Sequence, residues 1–153
     1  MNIIVRIADV IDAPIITEFN AAMALETERL KLDPERLAAG VKALLVDPAK
    51  GFYCIAELNG AVVGQLMITY EWSDWRNATF WWMQSVYVLP VYRKQGVFKA
   101  LYRYIESLAC NQGLVCGLRL YVEQENDRAL KTYEALGMTR SHYQMMEVGF
   151  KMK

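Results

Sequence analysis

The sequence has few of the residues that hold metals or form disulfides. It contains one histidine and three cysteines, Cys54, Cys110 and Cys116, in 153 residues. An odd number of cysteines without metal-ligand spacing indicates neither a zinc site nor a disulfide framework. We predict that Cys110 and Cys116 pack as small apolar side chains, and that the chain works in a reducing compartment without a metal.

Long apolar runs and an excess of one charge are also lacking. No apolar stretch approaches the ~20 residues of a membrane span, and the first ten residues, MNIIVRIADV, do not resemble a signal peptide. Seventeen basic and seventeen acidic residues give a formal charge of zero, so no basic field favours nucleic acid as a partner. The 54% hydrophobic and 22% charged composition predicts one globular cytoplasmic domain covering residues 1–153.

Hydrophobic periodicity and turn signals predict a mixed α/β fold. The expected order is β-α-α-β-β-β-α-β-α-β-β, a mixed sheet with helices on both faces. Asn59-Gly60 is the strongest hairpin signal, and a right-handed crossover is expected to link two parallel central strands. The predicted strands are 3–8, 52–58, 61–70, 78–89, 117–123, 138–141 and 143–150, and the predicted helices are 14–28, 33–46, 94–111 and 126–136.

The stretch from Trp81 to Leu101, WWMQSVYVLPVYRKQGVFKAL, combines a buried strand, a basic turn and a helix start. Residues 86–88 predict strand, and Pro90 marks its end. A turn of this kind aims several backbone N–H groups and the positive end of the helix dipole at one point, where Arg93 and Lys94 add two full charges. The stretch therefore predicts an anion site, most naturally for phosphate.

Two motifs resemble those of the GCN5-related N-acetyltransferases (GNAT). Arg93-x-x-Gly96-x-Phe98 is similar to the family's Gln/Arg-x-x-Gly-x-Gly/Ala turn, which grips the pyrophosphate of coenzyme A. Residues 123–138, EQENDRALKTYEALGM, resemble the family's Asn-x-x-Ala-x-x-x-Tyr-x-x-x-Gly-Phe segment, with Met138 at the last position. The resemblance covers most of residues 51–150 and implies the GNAT fold, in which the two central parallel strands splay apart.

The resemblance also implies where acetyl-CoA would bind. Diverging strands leave backbone groups without ladder partners, and the amides of a pantetheine arm can pair with them as an added strand would. Phe98 stands where the family has a small residue, so we expect its ring to point into the sheet–helix core. The implied coenzyme residues are Val86, Tyr87, Val88, Arg93, Lys94, Gln95, Gly96, Val97, Phe98, Asn126 and Tyr133.

The resemblance assigns chemical roles to a few of these residues. Tyr133 would be the general acid, because a phenol stays protonated at neutral pH and can protonate a departing thiolate. The Val88 N–H would polarise the thioester carbonyl. Trp82 stands where some family members carry a glutamate base, so the remaining carboxylates are Glu71 and Asp74 in the Trp-containing loop and Glu26 and Glu28 at the end of the first helix. We take Glu71 as the candidate base, with a relay through water as an equal alternative.

Acidic and aromatic residues suggest an acceptor site for a cationic amine. Ion pairing and cation–π contacts from the first helix end and the Trp-containing loop would bind such a group. The alternative is a solvated helix end and a packed loop whose acids are neutralised by local basic residues. The candidates are Glu26, Glu28, Trp72, Asp74, Trp75, Trp82 and Gln84, with Trp81 as a further aromatic wall.

These observations predict an acetyl-CoA-dependent N-acetyltransferase acting on a primary amine of a small molecule or peptide. One alternative is a non-catalytic acyl-CoA-binding or sensing module, because no strand carboxylate is evident. Another is a phosphate- or nucleotide-binding domain, which accounts for Gly96 but not for Asn126 and Tyr133. An exposed final strand at 143–150 predicts a homodimer.

Overall fold

The computed structural model describes residues 2–152, and the chain divides into two compact units, Met1–Leu120 and Tyr121–Lys153. The single-domain assignment stays a prediction. The elements of the first unit are β1 (Ile3–Ile7), α1 (Ala13–Glu28), α2 (Pro34–Val46), β2 (Phe52–Leu58), β3 (Ala61–Ser73), β4 (Ala78–Val88), α3 (Val97–Gln112) and β5 (Val115–Arg119), with short 3-10 turns at Val10–Asp12 and Pro90–Tyr92.

The first unit is built on a five-stranded mixed sheet in the order β1-β2-β3-β4-β5. The first four strands pair antiparallel, and β4 pairs with β5 in parallel, as predicted. The β2–β3 hairpin turns at Asn59 and Gly60, whose φ angles of 53° and 80° are those of a tight two-residue turn. The mixed α/β class and the parallel central pair are confirmed.

Helices cover both faces of this sheet. Side chains at alternate positions of β2 and β3 point to the same face, and Tyr53, Ile55 and Met67 pack with Ile16 of α1 and Val41 of α2. On the opposite face, a side chain at Gly64 would come within 2.9 Å of Val97 at the start of α3. The absence of a side chain at Gly64 therefore lets α3 pack closely on the middle of the sheet.

The first three residues of the segment predicted as a Trp-containing loop, 71–73, belong to β3. The β3–β4 ladder continues to Ser73 opposite Ala78, which leaves only a four-residue turn, 74–77. Asn77, with φ of 50°, completes that turn. The prediction placed the end of β3 at residue 70 because the polar sequence resembles a loop, but an exposed hairpin needs no apolar pattern once its ladder is in register.

The second unit contains one helix, α4 (Asp127–Ala135). Gly137, with φ of 100°, follows its end, as predicted for a helix C-terminus. The two strands predicted at 138–141 and 143–150 are wrong, because residues 138–152 carry no helix or strand. Alternating apolar residues favour a strand, but a strand forms only where a neighbour pairs with its backbone.

Two cysteine predictions are corrected as well. Cys54 is buried in β2, whereas Cys110 and Cys116 are exposed. Cys110 follows the last buried residue of α3, Ala109, and Cys116 lies on the sheet's edge strand. Among residues 2–152, no helix is both long and apolar enough to cross a bilayer.

Candidate active site

The edge of β4 is open along its second half. The parallel β4–β5 ladder ends at the pair Trp82–Arg119, while β4 runs on to Val88. Beyond Trp82 the backbone of β4 has no partner on β5, which is the divergence of parallel strands that the sequence resemblance implied. Backbone groups along such an edge can pair with an extended ligand.

A bulge determines which backbone groups face this edge. Gln65 pairs with Tyr87 and Met67 with Gln84, so β4 carries one more residue than β3 between these pairs. Ser85 within the bulge has a φ of 51°, in the left-handed region. A bulge of this kind breaks the ladder locally and changes the direction of the following residues.

The residues after the bulge can be oriented from one hydrogen bond. The Leu89 N–H donates to the Val63 carbonyl on β3 at 2.9 Å, so Leu89 faces β3. Successive residues of a strand direct their backbone groups to opposite sides, so the N–H and C=O groups of Val88 and Val86 face away from β3. The Val88 carbonyl accepts from Arg93 Nε at 2.8 Å, which agrees with this orientation.

The turn before α3 presents uncapped N–H groups. Gly96 is the N-cap residue, with φ of 87°, and no side chain caps the helix. The first turn contains no acidic residue, and Lys94 is exposed beside it. A side chain at Gly96 would meet nothing within 4 Å, so the space in front of these amides is open. This arrangement suits a phosphate group.

Arg93 is engaged with a residue of the first helix. Its two terminal nitrogens lie 2.5 and 3.0 Å from the carboxylate oxygens of Glu26, and its side chain lies over the Tyr87 ring, 5.5 Å from the centroid. The Glu26 pair raises the pKa of Arg93 and is the main cause of the lowered pKa of Glu26. Arg93 thus joins the end of α1 to the end of β4.

Phe98 does not enter the core as expected. Its ring is half-buried, with its centroid 6.3 Å from that of Tyr102. The adjacent Val97 takes the core position instead, with 1% of its surface exposed. One helical turn separates Phe98 from Tyr102, so both rings lie along the same side of α3.

A polar row continues along the α1 face of the sheet beyond the part that α1 and α2 cover. Gln84 Nε2 donates to Thr69 Oγ1 at 2.6 Å. Farther along, the Trp82 indole N–H donates to Glu71 Oε1 at 2.7 Å, and Arg119 Nη1 donates to the same carboxylate at 2.9 and 3.1 Å. These five side chains, which we call the polar row, lie where β4 and β5 begin to diverge.

The environment of Glu71 makes its carboxylate a weak base. The hydrogen bond from Trp82 is the main cause that lowers the pKa of Glu71, and Arg119 lowers that pKa further. Arg119 also lies over the Phe80 ring, 3.6 Å from the centroid, which holds the guanidinium in place. Glu71 is therefore ionised at neutral pH and already shares its charge with a cation.

The predicted acceptor residues are spread along the sheet. Glu26 lies near Val88 through Arg93, whereas Asp74 and Trp75 lie in the exposed turn that follows Ser73. At about 3.3 Å per residue, the ten positions from Val88 to Ala78 span roughly 30 Å, so the acidic residues at the two ends do not form one binding site. The polar row, with Trp82 and Gln84, lies between them.

The remaining aromatic and acidic candidates are not gathered at one place either. Trp72 and Trp75 are 62% and 86% exposed, and Glu28 is exposed at the end of α1. Trp81 is 3% exposed and packs edge-on against Phe52, so the expectation that it forms a wall of the acceptor site is corrected. It belongs to the face of the sheet opposite the polar row.

In the second unit, Asn126 and Tyr133 belong to α4. Asn126 Oδ1 accepts from the Ala129 N–H at 3.1 Å, as a helix N-cap, so only its amide N–H groups remain for a ligand. Tyr133 is half-buried, and burial raises the pKa of its hydroxyl. A raised pKa keeps this phenol protonated over the whole physiological range.

Sequence reasoning missed three polar residues of this region, Gln65, Thr69 and Arg119. Gln65 and Thr69 both lie in the mainly apolar strand β3, and Arg119 ends β5. A polar residue within a buried apolar strand is a usable signal, because such a group needs a partner. The identity of that partner depends on contacts 15 to 48 residues apart.

Comparisons with known proteins agree with this geometry. The model of the Acetyltransferase (GNAT) family matches residues 16–138. A crystal structure of a possible acetyltransferase from Clostridium difficile 630 is 45% identical, with a TM-score of 0.92 over 99% of this chain and 100% of that chain. The ribosomal-protein-alanine N-acetyltransferase of Brucella melitensis biovar Abortus 2308 has a TM-score of 0.79 at 18% identity, over 98% of this chain and 100% of that one, which shows the fold alone.

Curated relatives are similar over part of their length. The thialysine N-epsilon-acetyltransferase of Bos taurus is 34% identical over 50% of this chain and 44% of that protein. The mycothiol acetyltransferase of Corynebacterium aurimucosum is 29% identical over 84% of this chain and 43% of that protein. The chain thus spans less than half the length of these relatives.

Proposed function

The chain belongs to the GNAT family of acetyltransferases, and we propose that it transfers the acetyl group of acetyl-CoA to a primary amine of a small molecule or peptide. The observation that carries this proposal is the open edge of β4 beyond Trp82, followed directly by the uncapped start of α3. A single ligand with an extended, amide-containing arm at one end and a pyrophosphate at the other matches both features: the arm fits the open edge, and the pyrophosphate fits the helix start.

In this proposal the coenzyme lies along β4. The pantetheine amides pair with the backbone groups of Val86 and Val88, which face away from β3, and the pyrophosphate meets the first N–H groups of α3 at Gly96. Lys94 and Gln95 lie in the same turn, and the exposed Lys94 adds a positive charge. Asn126 supplies amide N–H groups from α4.

The reaction is a direct attack of the amine on the thioester. The neutral amine nitrogen forms a bond to the carbonyl carbon, and the Val88 N–H stabilises the negative charge that develops on the oxygen. The carbon–sulfur bond then breaks, and the sulfur leaves as a thiolate that takes the proton of the hydroxyl that the family resemblance assigns to Tyr133. The nitrogen gives up its extra proton as it becomes an amide, and this proton restores the Tyr133 hydroxyl through water. Binding both reactants next to each other supplies much of the acceleration.

The attacking nitrogen must lose a proton, and Glu71 is our candidate acceptor. Its low pKa makes it a weak base, so a chain of water molecules that ends at Glu71 is the form of proton transfer that fits best. Arg119 neutralises only part of the negative charge of Glu71. The negative charge that remains favours an acceptor amine that is cationic in solution. Trp82 and Gln84 of the polar row then contact the incoming amine. Glu26 and Glu28 lie at the end of α1, and Trp72, Asp74 and Trp75 lie at the tip of the β3–β4 hairpin.

The name of one relative supports an amine acceptor. The thialysine N-epsilon-acetyltransferase of Bos taurus modifies an amino nitrogen by its name. A panel for this chain therefore includes lysine-like small amines, polyamines and peptides with free N-termini. Formation of the acetylated amine by mass spectrometry, together with free thiol in equal amount, tests the proposal.

A second candidate function is a non-catalytic acyl-CoA sensor. It is favoured by one observation, that Glu71 has a pKa below its ordinary value rather than near neutrality, where a general base works best. A sensor would bind acetyl-CoA without forming an acetylated amine from any member of the panel.

We also propose that two copies associate through residues 144–152. Met146, Val148, Phe150 and Met152 alternate along this segment and are 92%, 75%, 85% and 70% exposed. Within residues 2–152, the structure describes no backbone–backbone hydrogen bond for residues 139–152. A segment with this alternation can form a strand once a second chain pairs with its backbone, so light scattering should give a dimer mass, and Val148→Lys with Phe150→Lys should give a monomer.

A further inference from the structure

Gln65 is a buried amide on β3 that reaches the bulge of β4. None of its surface is exposed, and its Nε2 donates to the Ser85 carbonyl at 3.1 Å and to Asn20 Oδ1 at 2.9 Å. Asn20, which is 6% exposed on α1, lies with its Nδ2 3.4 Å from the Tyr53 hydroxyl on β2. Side chains from three elements thus form a chain of contacts that ends at the bulge.

The bulge is where the β4 backbone depends on a side chain. The extra residue on β4 interrupts the ladder between the pairs Gln65–Tyr87 and Met67–Gln84, so a carbonyl there lacks a regular β3 partner. A carbonyl that is shielded from water needs a donor, and Gln65 Nε2 supplies it for Ser85. This contact fixes the peptide group that immediately precedes Val86.

Packing alone does not explain an amide at this position. Among the described residues, Gln65 Oε1 is buried and has no hydrogen-bond partner, which is unfavourable. A methionine or leucine would fill similar space without an unpaired oxygen. The amide nitrogen, with its two contacts, is the part of the side chain that accounts for glutamine here.

We propose that Gln65 is a positioning residue for the acetyl transfer. By holding the Ser85 carbonyl, it fixes the bulge and so the direction of the Val86 and Val88 N–H groups, one of which pairs with pantetheine and one of which polarises the thioester. The effect of Gln65 on the reaction rate rests on the proposed function, whereas its effect on the β4 backbone does not depend on any activity. Asn20 acts one step behind, by orienting the Gln65 amide.

The variants that test this are Gln65→Met and Gln65→Glu, with Ile55→Val as the matched control. Methionine keeps the length of the side chain without donors, and glutamate keeps its shape but replaces the donor nitrogen. Ile55 lies directly opposite Gln65 on β2, is fully buried and packs with Ile16 and Val41, and it carries no hydrogen-bonding group. We expect both Gln65 variants to lower kcat by about 10- to 100-fold. This is less than the roughly 100- to 1,000-fold loss that follows removal of an oxyanion donor, because the donor here is misdirected and not removed. The KM for the amine should change by less than about 3-fold, and Ile55→Val should change neither.

Amide hydrogen exchange gives a second readout that does not require turnover. In the Gln65 variants, the amides of Tyr87 and Leu89, which face β3, should exchange at least about 10-fold faster than in the wild type, with α3 unchanged, because only the bulge is released. If Gln65→Met does not fold, Asn20→Leu is measured in its place. This variant removes the side chain that accepts the hydrogen bond of Gln65, so kcat and amide exchange should change in the same direction but by less.

The outcomes separate the two proposals. A wild-type protein that acetylates no amine, with exchange at Tyr87 and Leu89 still dependent on Gln65, would refute the proposed function and leave the bulge assignment in place. A wild-type protein that is active, with Gln65 variants indistinguishable from Ile55→Val in kcat and exchange, would overturn the positioning role.

Discussion

Arg93 and Glu26 form an ion pair with N–O distances of 2.5 and 3.0 Å that joins the end of α1 to the turn before α3. Sequence reasoning gave these two residues separate roles, one on the coenzyme and one on the acceptor amine. Their contact means that a carboxylate lies beside the proposed phosphate site. Any phosphate bound there must compete with Glu26 for Arg93.

The first prediction follows from that competition. Glu26→Gln removes a negative charge near an anion site, so the Kd for acetyl-CoA should fall by a few-fold at low salt. The free energy of unfolding should change by no more than about 1 kcal/mol, because both side chains are more than a third exposed and water screens the pair. Calorimetric titration at two salt concentrations measures the first effect and urea unfolding the second. Weaker acetyl-CoA binding in Glu26→Gln would show that the pair holds Arg93 in place for the coenzyme instead.

The second prediction concerns the helix that starts at Gly96. Gly96→Ala and Gly113→Ala place the same methyl group at the two ends of α3, at φ angles of 87° and 71°, and neither methyl meets a neighbour within 4 Å. Both should cost about 1–2 kcal/mol of stability from backbone strain alone. Only Gly96→Ala should weaken acetyl-CoA binding, since its methyl projects from the phosphate turn. Equal affinities in the two variants would contradict this location of the phosphates.

The third prediction concerns Tyr133 as the general acid. Tyr133→Phe should lower kcat by about 100-fold, a typical loss for such a group, with little change in the KM for acetyl-CoA. Burial raises the pKa of this hydroxyl above its ordinary value of 10, so the wild-type kcat should not decline on the alkaline side below pH 10. Tyr143→Phe, at a 64% exposed tyrosine of the same unit, is the control and should be fully active. A decline centred near pH 8 that disappears in Tyr133→Phe would argue against this role.

The fourth prediction concerns the pH dependence expected from Glu71. Its pKa lies below 4.5, first because Trp82 donates to it and then because of Arg119. A base with so low a pKa is already ionised at pH 5, so kcat/KM should rise between pH 5 and 8 only with deprotonation of the amine itself. Amines of different pKa should shift the rise by the difference between their pKa values. A fixed inflection near pH 6 for all amines would reveal another base.

The fifth prediction concerns acid stability. Arg6 donates to both carboxylate oxygens of Asp12 at 2.9 Å, and this contact lowers the pKa of Asp12 below 3.8. A lowered folded-state pKa means that the stabilisation is present above pH 3.8 and is lost as the pH falls through the folded value. Asp12→Asn should cost about 1–2 kcal/mol at pH 7, discounted because Arg6 is 39% exposed, and should flatten the acid limb of the stability curve. Asp47→Asn, which breaks the more exposed pair with Lys50, should flatten that limb less than Asp12→Asn, because water screens this pair.

Local signals in the sequence were sufficient for most of the first unit. Asn59-Gly60 favours a tight hairpin, and Pro34 marks a helix start where the structure has one. The parallel pair of β4 and β5 follows from the helix between them. These features depend on neighbours within a few residues, and pattern and turn chemistry therefore specify them.

Features that depend on distant contacts could not be predicted. The hydrogen bond from Gln65 to Asn20 spans 45 residues. Glycine is the usual sequence signal of a positive φ, but the residue with positive φ in the bulge is Ser85. The alternating residues after Tyr143 predicted a strand, but whether a strand forms depends on an available partner and not on propensity. The Arg93–Glu26 pair spans 67 residues and was invisible for the same reason.

The central claim is tested most directly by incubating the purified protein with acetyl-CoA and the amine panel, and by measuring acetylated amine and free thiol in the same samples. Our account predicts at least one amine that is acetylated with saturation in both substrates, one thiol per acetyl group, and strong loss of both products in Tyr133→Phe. Calorimetric binding of acetyl-CoA, with ATP and NAD as controls, accompanies the assay. Saturable binding of acetyl-CoA without any acetylated amine would contradict the enzyme and favour the sensor, and the absence of binding would contradict both.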